Sequence, residues 1–467
     1  MHTDIPPVHT IDPVIAVPAE PTEISTKPTV APVATADRIQ TVDMVRGFAL
    51  LGILMMNIPI FGINGTAQQD VLNGPHNTAD YYTLAVVSTL FEGTMRGLFS
   101  MLFGAGMILF TMNKKDVPGK PTVAEYYYRR LGLLVLFGLF NAYVLLWEGD
   151  ILFYYGLAGM LLYPFRKAAA KWLIVLGLVC IGIGVYKNMS WYGEMRENRA
   201  GYKEAVAAEK DGKKPTEKQE QQRGAWMGFE QNFKPDTARI NEGVRQRRGD
   251  YGTVFTHLLP RNAGNETWGT YHGIWDMLCM MFIGMGLFVM GFFSNKLRTS
   301  TYIMALLVGY GIGIPLGWIA FDHGLEGWIT NIAAYVDGYR APHWLLYDFK
   351  RLFLALGHAS LLMLIFRSGI LSFLMKGLAN VGQMAFTNYL MQSIICTLFF
   401  FGYGLGYFNK LAYHQLYFVV GAVWVFQLIF SAIWLRYFQF GPFEWAWRSI
   451  TYSKKQVMKK KASAENA

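Results

Sequence analysis

Apolar residues fall into ten stretches broken by polar loops: 42–63, 94–112, 131–147, 151–165, 170–187, 272–293, 301–320, 344–366, 380–403 and 415–437. A helix that crosses a bilayer needs roughly 20 apolar residues. The pattern therefore predicts an all-α fold, a polytopic transmembrane helical bundle of about ten spans. The amphipathic piece 79–92 is read as either interfacial or an eleventh segment. Only Glu148, Gly149 and Asp150 separate the short stretches 131–147 and 151–165, which predicts a tight helical hairpin.

Between 188 and 270 the chain turns polar, with charge-rich, helix-forming sequence from Lys203 to Arg223 and a basic run, Arg245-Gln246-Arg247-Arg248. This stretch divides the bundle into halves, 38–187 and 271–452. It is expected to be partly helical, either as a solvated excursion or as a cap over a substrate site. Residues 1–37, rich in Pro, Thr, Val and Ala, cannot bury enough surface to offset their ordering entropy and are expected to be a disordered tail. They hold no basic segment leading into an apolar one, so no signal peptide is expected.

Composition supports the membrane class. Of 467 residues 53% are hydrophobic and 16% charged, against roughly 25% charged in soluble domains. The net charge of +10 could suggest nucleic acid. Its distribution excludes that partner, because the basic residues sit at the ends of the apolar stretches. Lys114, Lys115, Lys120, Arg129 and Arg130 follow the second span, and Arg166, Lys167 and Lys171 the fourth. Lys296 and Arg298 follow the sixth, Arg367 and Lys376 the eighth, and a basic tail, 453–467, closes the chain. Every second loop is basic. By the positive-inside rule both termini are expected in the cytoplasm and 188–270 outside. Cys180, Cys279 and Cys396 all lie in apolar stretches without a Cys-x-x-Cys pair, so neither a disulfide framework nor a cysteine-built zinc site is expected, nor any metal.

Polar groups inside the spans are the candidates for chemistry. Asp43 and Arg46 are i,i+3 neighbours able to pair, and Asn57, eleven positions after Arg46, returns to nearly the same face. This is either an interfacial ion pair or an anion site. In the eighth span Asp348, Arg351 and His358 follow one another at one and two turns, giving a polar seam that reads as anchoring plus a buried His, or as a substrate or proton path. Asn388 and Gln392, one turn apart in the ninth span, read as inter-helix glue or as ligand contacts. With the expected orientation His76, His257, His272, His323, His343 and His414 fall on or near the outer side, the favoured place for a general base. The glycines of Gly104-Ala105-Gly106 and Gly284-Met285-Gly286 are expected to allow close helix approach.

Several strings resemble a known family. Arg38-Ile39-Gln40-Thr41-Val42-Asp43-Met44-Val45-Arg46-Gly47-Phe48, Phe99-Ser100-Met101-Leu102-Phe103-Gly104-Ala105-Gly106 and Leu146-Trp147-Glu148-Gly149-Asp150 are three of them. Gly382-Gln383-Met384-Ala385-Phe386-Thr387-Asn388-Tyr389 and Phe440-Gly441-Pro442-Phe443-Glu444-Trp445-Ala446-Trp447-Arg448 are two more. Together they are similar to the YeiB-type family of polytopic bacterial membrane proteins. More distantly they resemble transmembrane acyltransferases, such as heparan-glucosaminide N-acetyltransferase and the polysaccharide O-acyltransferases. The shared Asp-x-x-Arg-Gly core falls here on Asp43, Arg46 and Gly47.

That resemblance implies a bacterial cytoplasmic-membrane acyltransferase. An acyl group would pass from cytoplasmic acyl-CoA to a glycan, amine or lipid acceptor on the far side. Arg46 would meet the donor. Asn57 stands where the O-acyltransferases carry a His, so His76, in the loop before the second span, is the base the resemblance points to, with His343, His358 and Asp348 as further catalytic candidates. Asp43, Arg46, Asn57, Arg351, Asn388 and Gln392 are the candidates for binding the donor. The alternative is a transporter or flippase without covalent chemistry. A homodimer is the default expectation for assembly.

Overall fold

The computed structural model describes residues 39–112, 114–233, 236–325, 329–338 and 343–460. The expected tail 1–37 and the end of the basic tail lie outside them, and so do the side chains of His323 and His343. The described chain is helical apart from one isolated bridge pairing Phe438 with Lys459. Its helices are α1 (Gln40–Gly62), α2 (Ala67–Asn73), α3 (Ala79–Leu90), α4 (Thr94–Thr111), α5 (Val123–Tyr143) and α6 (Leu152–Met160). After α7 (Ala170–Lys210) come α8 (Glu217–Gln231), α9 (Thr237–Arg247), α10 (Tyr251–Gly264), α11 (Thr270–Val289), α12 (Thr299–Ile319) and α13 (Ile332–Asp337). The chain continues through α14 (Tyr347–Ser368), α15 (Ser372–Gln383), α16 (Ala385–Phe400), α17 (Leu416–Tyr437) and α18 (Pro442–Thr451).

Among the described residues, seven helical runs are long and apolar enough to cross a membrane: Gln40–Gly62, Ala79–Thr111, Ala170–Lys210, Tyr251–Val289, Thr299–Asp322, Tyr347–Ser368 and Leu416–Tyr437. They contain seven of the ten expected stretches, and the protein is a membrane protein. The other three stretches fall in α5, α6 and α16. The helix α6 has nine residues, about 14 Å of rise, and cannot cross a core about 30 Å thick. With α5 it forms the expected hairpin. The amphipathic piece before the second span joins α4 into one run, turned at Gly93 with φ 70°.

The helix α1 is the centre of the bundle. Met44, Val45, Ala49, Leu50, Leu54 and Ile58 are all fully buried, so this helix is apolar nearly all round, as a core helix must be. The close approach expected of the glycines is present between α4 and α11. A side chain at Gly104 would meet the Met281 carbonyl, and one at Gly284 the Met101 backbone. Two faces result. The face where α1 begins carries the Thr41 hydroxyl bond to Phe293 O (2.8 Å) and the Trp447 indole bond to Arg130 O (2.9 Å). The opposite face carries Asn64–Asn409 and His414–Asp80.

The 188–270 stretch is largely helical. The helix α7 runs unbroken for 41 residues out of the bundle. Its polar end packs Tyr192 and Met195 against Trp226 of α8 and Ile332, Tyr335 and Val336 of α13, a small core of its own. Helices α9 and α10 return to the bundle. There buried Arg247 pairs with buried Glu148 at 2.5 Å, and Arg261 reaches the other carboxylate oxygen at 2.7 Å. The Arg248 guanidinium donates to Phe408 O at 2.8 Å. The layer thus lies on the face opposite the start of α1.

Candidate amphiphile-binding cavity

A cavity of about 240 Å³ opens on the face where α1 begins. The residues Phe99, Phe103, Gly106 and Phe110 of α4 line it, because a spacing of three to four keeps them on one helix face. From Phe99 to Phe110 the helix rises about 16 Å, which carries the cavity from the rim toward the middle of the bundle. Leu131 and Leu134 of α5, Leu152 of α6 and Phe386 of α16 complete apolar walls.

The rim is charged. The Arg46 guanidinium donates to Asp43 at 2.6 Å, and both residues line the opening. Arg130 of α5 and Arg448 of α18 line it too. The Arg130 guanidinium lies 3.8 Å above the Trp447 ring, and Arg448 lies 4.3 Å above Phe440. Both cationic planes are thus stacked on aromatic rings. Glu444 is a second acid in the lining beside Asp43, and its oxygens are occupied. The backbone N–H groups of Phe386 and Thr387 donate to Oε1 (2.8 and 3.0 Å), and the Thr387 hydroxyl donates to Oε2 (2.5 Å). Glu444 therefore caps the N-terminus of α16 from another part of the chain. Burial pushes its pKa up, against the pull of the Thr387 bonds.

The inner end is phenolic. The Tyr155 hydroxyl and Ser100 Oγ are 2.8 Å apart, and Tyr155 also donates to Arg96 O. The Tyr389 hydroxyl accepts from Ile151 N at 3.1 Å and from the Trp147 indole at 3.3 Å. Trp147 stacks on Phe61 with centroids 3.8 Å apart. Behind it stands the Glu148–Arg247 pair.

The other sequence candidates are distributed over separate environments. Arg351 is buried among Asp276, Asp348 (2.5 Å) and, through Asp276, Arg96. Beside it Lys350 Nζ donates to Ser88 O (3.1 Å) and to Glu92 (3.4 Å). This satisfied ion-pair cluster does not line the cavity. His358 lies two turns beyond Arg351, but both of its ring nitrogens are engaged: Nδ1 with the Tyr310 hydroxyl at 2.7 Å and Nε2 with Leu90 O at 3.2 Å. The second contact requires a proton on Nε2, and the ring lies between Phe48 and Phe91.

His76 lies on the opposite face, stacked on Tyr81 with Nε2 3.1 Å from Leu72 O. His343 opens a short 3-10 turn and its side chain is outside the described residues. Asn57 is half-buried and lies outside the cavity lining. Asn388 donates to Ser431 Oγ (2.9 Å), and Gln392 to Gln427 Oε1 (3.1 Å), a polar seam between α16 and α17. Of the candidates, then, the cavity gathers Asp43 and Arg46.

Sequence reasoning missed Arg130, Glu444, Trp447 and Arg448 as site residues. Arg130 was counted only as a loop charge. The others stand in an interrupted amphipathic pattern, Glu444, Trp447, Arg448 and Tyr452, spaced by three and four. That spacing was a legible sign of a helix laying one face on the bundle.

Comparison with known proteins agrees with this architecture at the level of family. Residues 287–454 match the family model described as "Protein of unknown function (DUF418)". The chain is 31% identical to the Escherichia coli (strain K12) protein YeiB over 422 residues, covering 89% of this chain and 96% of that one. It is 27% identical to YxaH of Bacillus subtilis (strain 168), covering 92% and 98%. Both carry the designation "uncharacterized". No solved structure matches the chain. On the extent of these matches, the chain belongs to the YeiB family of membrane proteins.

Proposed function

We propose that the protein is an acyltransferase of the bacterial cytoplasmic membrane that takes its acyl group from acyl-CoA. One observation carries the reading: the cavity is built for an amphiphilic anion, with apolar walls from Phe99 to Phe110 and a cationic rim at Arg46, Arg130 and Arg448. An acyl chain would lie in the walls and the polar part of the donor at the rim. The rim faces the cytoplasm with both termini, since Arg130, Arg448 and the Lys454–Lys455 pair gather there in the sense of the positive-inside rule. In the reaction the acceptor oxygen or nitrogen bonds to the thioester carbon, the C–S bond breaks, and the acceptor proton passes through a base to the departing thiolate. His76, on the opposite face, is the base proposed for an acceptor arriving there.

The test is acyl-CoA binding by the detergent-purified protein, read by calorimetry and thermal shift, beside Arg46→Ala. Saturable binding that weakens at least tenfold in the variant supports the donor site. Absence of binding across acetyl, medium-chain and long-chain donors removes it. Turnover in His76→Ala then tests the base, and full activity there overturns that assignment.

Transport without chemistry is the second reading. It is favoured by one feature: among the described residues no His lines the cavity. Acyl-CoA-independent movement of an anionic amphiphile across sealed vesicles would support it.

A further inference from the structure

The basic residues at the cavity mouth extend beyond its lining. Lys114 follows α4 by one turn, and its Nζ sits 3.5 Å from the centroid of the Phe110 ring. The Arg130 guanidinium lies 5.6 Å from the same ring, so two cations share one aromatic side chain. Arg448 acts on Lys114 from α18. The Lys114 Nζ is shut off from solvent and makes no hydrogen bond among the described residues. An ammonium group without a partner is costly to bury, and three donors left unused are rarer still in a folded protein. Only like charges act on it, Arg130 and Arg448, and with burial they drive its pKa down to about 7. The oxygens of Glu444, the nearby acid, are already taken by α16. An orphaned donor beside two guanidiniums is the arrangement that a tetrahedral oxyanion completes, because each phosphate oxygen accepts from a different cation.

We propose that Lys114, Arg130 and Arg448 form a phosphate-binding site at the mouth of the cavity. It deepens the donor reading by assigning the phosphate-bearing part of the ligand to this trio rather than to Arg46, which is already paired with Asp43. It rests on the cavity being an anion site and does not require acyl transfer. The phosphate can belong to a soluble ligand such as coenzyme A or to the headgroup of an anionic phospholipid.

The experiment uses the full chain in phosphatidylcholine nanodiscs, native and as Lys114→Gln and Lys114→Arg, with coenzyme A and pyrophosphate as probes in calorimetry. A parallel set of discs containing phosphatidylglycerol supplies the lipid source, with co-purifying phospholipid counted by native mass spectrometry. Coenzyme A and pyrophosphate binding that falls at least tenfold in Lys114→Gln and stays within about threefold in Lys114→Arg supports the site with a soluble ligand. Phosphatidylglycerol that is retained by the native chain, lost in Lys114→Gln and competes with coenzyme A supports it with a lipid headgroup. A Lys114→Gln protein of unchanged melting temperature that binds all three probes as the native chain does overturns it. If acyl-CoA binds no tighter than coenzyme A and nothing is transferred, acyl transfer fails while the phosphate site stands on the pyrophosphate result.

Discussion

At the scale of single residues, the site rests on two side chains with opposite situations. Glu444 is a buried carboxylate with every contact filled, capping α16 through Phe386 and Thr387. Charge-assisted caps are stronger than neutral ones. Glu444→Gln is expected to cost about 1–2 kcal/mol, measured by unfolding in detergent, and an unchanged midpoint would show that the cap carries no stability. Lys114 is the reverse, an amine that rests on the Phe110 ring with no hydrogen-bond partner among the described residues. Its folded pKa lies near 7, against an ordinary value of 10.5. Between those values the unfolded chain holds a proton that the folded chain does not. Stability of the ligand-free protein is therefore expected to rise as pH goes from about 7 toward 10, by linkage. Arg130 and Arg448 face Lys114, and burial lowers the Arg130 pKa from its ordinary value. Tyr452, packed on the same side, is held above the ordinary phenol range by burial. Melting curves of the native chain and Lys114→Met between pH 7 and 10 check this, and parallel curves would contradict it.

At the scale of elements, most of the architecture was readable because membrane helices announce themselves through length and hydropathy. Among the described residues, seven of the ten predicted spans fall in helical runs both long and apolar enough to cross. The segment 151–165 misled, because its apolar residues serve a short helix against α5 rather than a crossing, and hydropathy does not report helix length. The glycine strings read correctly as packing devices. Gly104→Val drives a side chain into the Met281 carbonyl, and overpacking of this kind costs about 1–3 kcal/mol. Lower yield and a lower melting point are expected for it, and none for the same change at Gly106, whose Cβ position is open. The candidate site was half legible. Asp43 and Arg46 showed in local spacing, whereas Arg130, Glu444 and Arg448 become one rim only when α5 and α18 meet, a contact between residues about 320 positions apart.

At the scale of the whole molecule, the helical layer α8–α10 meets the bundle at a buried charged point, among other hydrogen bonds. Glu148 takes Arg247 on one oxygen and Arg261 on the other, and both Glu148 and Arg247 are buried. Removing one member of a buried pair leaves the other charge without compensation, at about 3–5 kcal/mol. Glu148→Ala is expected to release the layer, seen as faster proteolysis between 188 and 270 in intact nanodiscs. Unchanged cleavage would mean that the small core around Trp226 holds the layer by itself.

The cap on α16 also has a meaning in time. Glu444 is made 57 residues after Thr387, a delay of about 3 to 11 s at bacterial to eukaryotic synthesis rates. Until then the start of α16 has no carboxylate, and the rim has neither Arg448 nor the Trp447 ring on which Arg130 rests. A nascent chain thus carries the apolar walls together with Arg46, Lys114 and Arg130 before it carries Arg448. Assembly order leaves the rim without its last guanidinium, and Arg130 without the ring it rests on, until the last helix is in place.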